Sequence, residues 1–261
     1  MDTSLRGKRA LVCGSTQGIG KASAMQIASL GADVTLMARN EASLRAVVAE
    51  LPNEGQDHNF IVADFKDPDS VKAAVMGVAG GGGTVHVLVN NTGGPKGGPI
   101  LDADPQEFID AISMHVVCGQ ILVQALVPGM KDAGYGRIIN IISTSVKAPI
   151  PGIGVSNATR GAVASWAKTL AGELAPFGIT VNNVLPGFTD TARLTELFKA
   201  KAKRIGSTVD AVREAAIAGI PAGRLARPEE VGAAVAFLAT PAASYINGIN
   251  VPVDGGRTQS L

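Results

Sequence analysis

The chain has 261 residues, a formal net charge of +1, 46% hydrophobic residues and 32 glycines. That length suits one large α/β unit with a substantial core, and the near-neutral charge argues against nucleic acid or an anionic membrane surface as partner. Two cysteines, Cys13 in an apolar strand and Cys118 in a helix, make no disulfide framework and fit a reduced, cytoplasmic setting.

The polar stretch before Arg9 lacks the apolar centre of a signal peptide. Arg9 to Val12 is then predicted as a buried strand, followed by a glycine-rich turn and a helix from Ile19 to Leu30 that stops at Gly31. Asp33–Ala38 and Asn59–Val62 are the next strands, with helices over Ala42–Glu50 and Pro68–Val78. Gly80 to Gly83 reads as a turn into a fourth strand, Val85–Val89, apolar at nearly every position as in a strand buried on both faces. A long helix follows over Gln106–Lys131. Its apolar run, Val116 to Val127, is broken by Gly119, Gln120 and Gln124 and reads as too short and polar to span a bilayer. Strands over Arg137–Ile142 and Thr180–Leu185 flank a helix over Val155–Leu174. Charged helical segments fill Thr191–Ala218, and a helix over Pro228–Leu238 leads to a last strand, Asn250–Val253. Unbroken alternation of strand and helix predicts an α/β fold in one domain, 1–261: a Rossmann-type, doubly wound parallel sheet with helices on both faces.

The first turn reads Gly14-Ser15-Thr16-Gln17-Gly18-Ile19-Gly20. Glycines there let a backbone approach a pyrophosphate, and the following helix offers free N–H groups and a positive dipole end. Gly14, Ser15, Thr16, Gly18, Ile19 and Gly20 are therefore expected to hold a dinucleotide. Strand two ends at Ala38-Arg39 with no acid to hold a ribose 2′-hydroxyl, whereas Arg39 suits a 2′-phosphate. NADP(H) is the expected cofactor, with NAD the alternative. Asp64, after strand three, is placed to accept from an adenine amine, or else is a surface turn aspartate. No Cys/His group has metal-ligand spacing.

The glycine turn, Asn90-Asn91-Thr92-Gly93 after strand four, Pro186-Gly187 with Thr191 after strand six, and the stretch from Gly223-Arg224 to Asp254-Gly255-Gly256 together resemble the short-chain dehydrogenase/reductases over nearly the whole chain. The resemblance implies a sheet of about seven strands, a nicotinamide dinucleotide, and a homodimer or homotetramer. It also implies Asn90 beside the cofactor ribose, Thr191 near the nicotinamide carboxamide, and a substrate lid over 190–220.

The family's chemistry rests on a Ser, a Tyr, a Lys four residues after the Tyr, and an Asn on the long helix. Ser143 keeps the first; Ser156, Arg160 and His115 stand at the other three positions. The two tyrosines, Tyr135 and Tyr245, lie on other segments. A serine hydroxyl is a far weaker acid than a phenol, and Arg160 is a poor proton carrier. Arg160 can still hold a ribose hydroxyl or pair with a carboxylate in a fork, one helical turn from Ser156. His115 is the one group of the four whose ordinary pKa lies near neutrality; a histidine held structurally among the helices is the competing reading. Trp166, Val163, Leu170 and Leu174 form an apolar stripe for a core or a subunit interface. Arg193, Lys199, Lys201, Lys203 and Arg204 read as a solvated helix face or as a recruiter of an acidic substrate. Three functions follow: hydride transfer on a carbonyl or alcohol, dinucleotide binding without redox chemistry as a regulator or inactive subunit, or other chemistry such as a lyase on the same fold.

Overall fold

The computed structural model describes residues 1–81 and 83–260; Gly82, in the predicted turn before strand four, lies outside them. Seven parallel strands form one sheet: β1 (Arg9–Cys13), β2 (Asp33–Ala38), β3 (Asn59–Val62), β4 (Val87–Asn90), β5 (Gly136–Ile141), β6 (Ile179–Pro186) and β7 (Asn250–Val253). Their order is β3-β2-β1-β4-β5-β6-β7. The chain winds outward from β1 in one direction and then from β4 in the other. The strand ends at Cys13 and Asn90 therefore border the crevice where such sheets take ligands.

Successive residues of a strand face opposite sides, and the core divides accordingly. Ala10 and Val12 of β1 point into one apolar layer with α1 (Gly18–Ser29), α2 (Glu41–Glu50) and α9 (Pro228–Ala239). Leu11 and Cys13 point into the other, with α3 (Pro68–Gly80), α5 (Cys118–Asp132) and α6 (Gly154–Leu174). Both faces are dry, which explains the nearly continuous apolar sequence of β4 and β5.

The long helix is continuous from Pro105 to Asp132 but not regular. α4 (Pro105–Ile112) passes into α5 through one π turn, Ser113–Val117. It exceeds the apolar run marked in the sequence and by length and composition alone is long enough to cross a membrane. Here it packs against α3 and α6, with 44% of its most apolar window buried. The charged segment after β6 is two helices, α7 (Ala192–Ile205) and α8 (Val209–Ala218), parted at Gly206, which takes φ 65°. A small apolar cluster of its own, including Leu194, Phe198 and Val212, ties the pair together.

Candidate functional site

The glycine turn leaves β1 with Gly14 at φ 58° and Gly18 at φ 54°. A Cβ on Gly14 would lie 2.7 Å from Asn91 Nδ2, and one on Gly20 would collide with the Gly14 carbonyl. Any other residue at these positions would push the turn open. Asn91 fastens it by donating from Nδ2 to the carbonyls of Cys13 (3.3 Å) and Gly14 (3.1 Å). A Cβ on Gly18 would sit 3.2 Å from Thr191 Cγ2, so the segment after β6 reaches the turn.

Side chains of Asn40, Asp67, Asp104, Thr191 and Thr208 cap α2, α3, α4, α7 and α8. Gln17 makes no such bond to α1, whose first N–H groups stay open beside the turn. Ser15 is fully buried, and its Oγ has no hydrogen-bond partner among the described residues. An uncapped helix end and an orphaned hydroxyl form a donor set that could hold a pyrophosphate. Thr16 and Ile19 are half-buried in the same turn. Arg39, exposed at the end of β2, has no hydrogen bond or ion pair among the described residues and is free to meet a 2′-phosphate. Asp64 turns its carboxylate onto the Lys66 backbone N–H (3.0 Å) at the rim of the crevice.

A polar ladder that the sequence reading did not identify crosses the floor of the site. Asn90, Asn140, Asn183 and Asn250 are register partners on β4, β5, β6 and β7. Each amide donates to the next: Asn90 to Asn140 at 2.9 Å, Asn140 to Asn183 at 2.8 Å, Asn183 to Asn250 at 2.8 Å. At the crevice end, Asn90 Oδ1 is buried without a partner among the described residues. The sequence carried one such asparagine in or next to each of four strands, but at different positions along them, so only the register brings them into line.

Ser143, Ser156, Arg160 and His115, expected at the four catalytic positions, lie on neighbouring elements. Ser143 follows β5, half-buried, and its Oγ accepts from the Ser145 backbone N–H at 3.0 Å. Ser156 is half-buried in the first turn of α6, with no hydrogen bond of its own among the described residues. Arg160, one turn further on, is buried; its Nη1 donates to His115 Nδ1 (3.2 Å) and to the Ile141 carbonyl (3.2 Å). Burial, and next the charge of Arg193, push the Arg160 pKa down to about 10. His115 sits in the π turn, which is how one helix directs a side chain toward α6 that a regular register would aim elsewhere.

The sequence suggests a histidine titrating near neutrality, but the surroundings oppose that. Burial first and the Arg160 charge second hold His115 well below its ordinary value, against a smaller opposing effect of the Gly93 backbone. The ring is neutral at pH 7, Nδ1 accepts from Arg160, and the proton is therefore on Nε2. That Nε2, Arg160 Nε and Asn90 Oδ1 are buried without partners among the described residues, and their residues line one cavity of about 20 Å³, enough for a single water.

Beside this cluster opens a cleft of about 790 Å³. Ile100, Ile150, Val155, Phe188, Leu197 and Phe198 give it apolar walls, and Lys96, Lys201, Arg204 and Arg257 bring positive charge. α7 and α8 form one wall, while the glycine loop 93–99 is pinned across the mouth by a bond from Gly98 N–H to the Gly152 carbonyl at 2.8 Å. Neither tyrosine reaches the site: Tyr135 donates its hydroxyl to the Ala239 carbonyl, and Tyr245 is fully exposed. The stripe around Trp166 packs within the chain, the indole donating to Gln120 of α5 at 2.8 Å. Among the described residues, no three His, Cys, Asp or Glu gather as a metal site would require.

Comparison with known proteins fits this geometry. A family model described as enoyl-(acyl carrier protein) reductase matches residues 14–258. The 3-oxoacyl-(acyl-carrier-protein) reductase of Vibrio cholerae is 35% identical over 255 residues, covering 97% of this chain and 98% of that protein. Gluconate 5-dehydrogenase of Gluconobacter oxydans is 33% identical, covering 99% and 97%. The crystal structure of L-sorbose reductase from Gluconobacter frateurii, complexed with NADPH and L-sorbose, superposes with a TM-score of 0.92 at 31% identity over the whole of both chains.

Proposed function

Because the chain belongs to the short-chain dehydrogenase/reductases, we propose that it is an NADP(H)-dependent oxidoreductase interconverting a small carbonyl compound and its alcohol. The observation that carries this reading is a dinucleotide cradle with orphaned buried donors at one end and a hydrogen-bonded Arg160–His115 pair at the other. Gly14, Ser15, Thr16, Gly18, Ile19 and Gly20 hold the pyrophosphate, Arg39 the 2′-phosphate and Asp64 the adenine end. Asn90 and Thr191 line the ribose and nicotinamide end. With Arg39 engaged, NADP(H) is preferred and NAD is the weaker ligand.

When bound, the cofactor supplies the hydride. Ser143 and Ser156 orient the substrate carbonyl by donating hydrogen bonds to its oxygen. That oxygen must then gain a proton, and neither serine is acidic enough to give one up alone. His115 is the proton donor, directly or through a water and Ser156, while the Arg160 guanidinium stays charged and holds Nδ1. Helices α7 and α8 act as the lid. Two apolar side chains exposed on the long helix, Ile109 and Val117, belong to a dimer or tetramer contact, which light scattering at micromolar concentration tests.

The reading is tested by NADPH oxidation, followed by absorbance against a panel of ketones and oxo acids. Tight NADPH binding with no oxidation across the panel would favour a non-redox dinucleotide-binding protein. Failure to bind either cofactor would sink both readings.

A further inference from the structure

Two guanidinium groups from different elements converge beside Gly94. A Cβ at that glycine would lie 3.6 Å from Arg193 Nη2 and 3.8 Å from Arg160 Nη2. Glycine leaves this point open. Arg160 spends Nη1 on His115 and the Ile141 carbonyl, and its Nε has no partner among the described residues. Arg193 donates Nη2 to the Pro95 carbonyl, a neutral acceptor that orients the group without cancelling its charge.

Neither arginine forms an ion pair with a described residue. Two nearby acids are already engaged: Asp190 with Arg213 at 3.2 Å, and Glu196 with Lys199 at 2.8 Å. Like charges this close repel, and Arg193 indeed adds to the downward pull on the Arg160 pKa. A buried cation without an anion is costly, so the arrangement is complete only with a negative group between the two forks.

We propose that Arg160 and Arg193 clamp the carboxylate of a short oxo-acid substrate, or of the corresponding hydroxy acid. The proposal rests on the oxidoreductase reading and narrows its substrate. The pyrophosphate and the 2′-phosphate of the cofactor have other partners in that reading, at the uncapped end of α1 and at Arg39. Arg160 stands four residues after Ser156, about 6 Å along the helix. The carboxylate at the clamp and the carbonyl at Ser156 are thus held from neighbouring turns of one helix by a long and a short side chain, which suits an acid whose carbonyl lies one to three bonds from its carboxyl carbon.

The test titrates the protein–NADP complex calorimetrically with 2-, 3- and 4-oxo acids of four to six carbons and with their methyl esters. At least one acid should bind 10-fold or more tightly than its ester. Arg193→Ala should lose about 10- to 100-fold in affinity for that acid, the worth of a charge-assisted hydrogen bond, while ester and NADPH affinities stay within twofold. Arg193→Lys should recover part of the loss. Arg193 is exposed, and an unchanged melting temperature verifies that the variants fold. Equal binding of acid and ester across the panel would overturn the proposal. So would an Arg193→Ala variant that loses NADPH affinity as much as acid affinity, which would assign the guanidinium to the cofactor. If the oxidoreductase reading alone is wrong, the acid preference persists in calorimetry while NADPH is not consumed.

Discussion

Replacing Asn140 with alanine interrupts the asparagine ladder at its most buried member, which is 1% exposed. The substitution removes one acceptor and one donor together. Asn90 Nδ2 loses its partner at 2.9 Å, and Asn183 Oδ1 loses its partner at 2.8 Å. A buried polar group left unsatisfied costs about 1–3 kcal/mol, so two give about 2–6 kcal/mol. Asn90 is only half-buried and can recover part of its share from solvent, which brings the expected loss to about 3 kcal/mol. Urea denaturation of the two proteins at pH 7, analysed with a common m-value, measures it. Asn140→Asp gives a chemical control. Its carboxylate still accepts from Asn90 but faces Asn183 Oδ1, and only the protonated acid can donate there. Burial and that facing oxygen raise its pKa, so relative to the unmodified protein this variant should regain stability as pH falls toward 4. A loss below about 1 kcal/mol for Asn140→Ala, or an Asn140→Asp variant indifferent to pH, would refute the view that the ladder is a coupled network.

Other outcomes follow from the same geometry. Arg39→Ala should weaken NADPH by about 1–3 kcal/mol with little effect on NADH, and calorimetry giving equal affinity for both cofactors in the unmodified protein would count against the role of Arg39. His115→Ala should lower turnover by about 10²- to 10⁴-fold at nearly constant cofactor affinity; a folded variant with intact turnover would move proton delivery elsewhere. Burial depresses the folded-state pKa of His115, so between its unfolded value of 6.5 and its lower folded value the unfolded chain holds the extra proton. Stability should therefore fall as pH drops below 6.5, with His115 contributing a slope of at most about 1.4 kcal/mol per pH unit, and His115→Asn should flatten it in denaturation curves taken from pH 7 to 5.

Most of the architecture was legible because both layers of the sheet are dry. Apolar runs such as Leu11–Cys13 and Val87–Val89 can only be interior strands, and β2, β3 and β7 fall on the predicted residues. The glycine turn was legible because its backbone demands are local. The π turn was not: an extra residue in a helix leaves the apolar pattern of Ala111 and Leu122 looking regular at low resolution. Nor was the environment of His115, since its pKa is lowered first by burial and then by the charge of Arg160, 45 positions away. The convergence of Arg193 with Arg160 likewise depends on how the loop at Pro95 folds back, and no spacing rule encodes it.

The π turn divides the helix Pro105–Asp132 into two screws that are out of phase by one residue. In a regular helix each residue advances the angle by about 100°. Deleting a single residue within Ser113–Val117 would remove the extra residue and let the turn close regularly with both flanking faces in place, whereas a deletion elsewhere in the helix has no such slack and would rotate everything on one side by that angle. In α4 such a rotation would re-aim exposed positions such as Ile109 and buried ones such as Ala111. Insertions and deletions here are thus a different class of change from substitutions. An exchange at His115 alters one group, whereas a frame slip outside the turn re-aims an entire helical face. Any attempt to graft this site onto a related scaffold has to match the count of residues between Pro105 and Leu122 before it matches their identities.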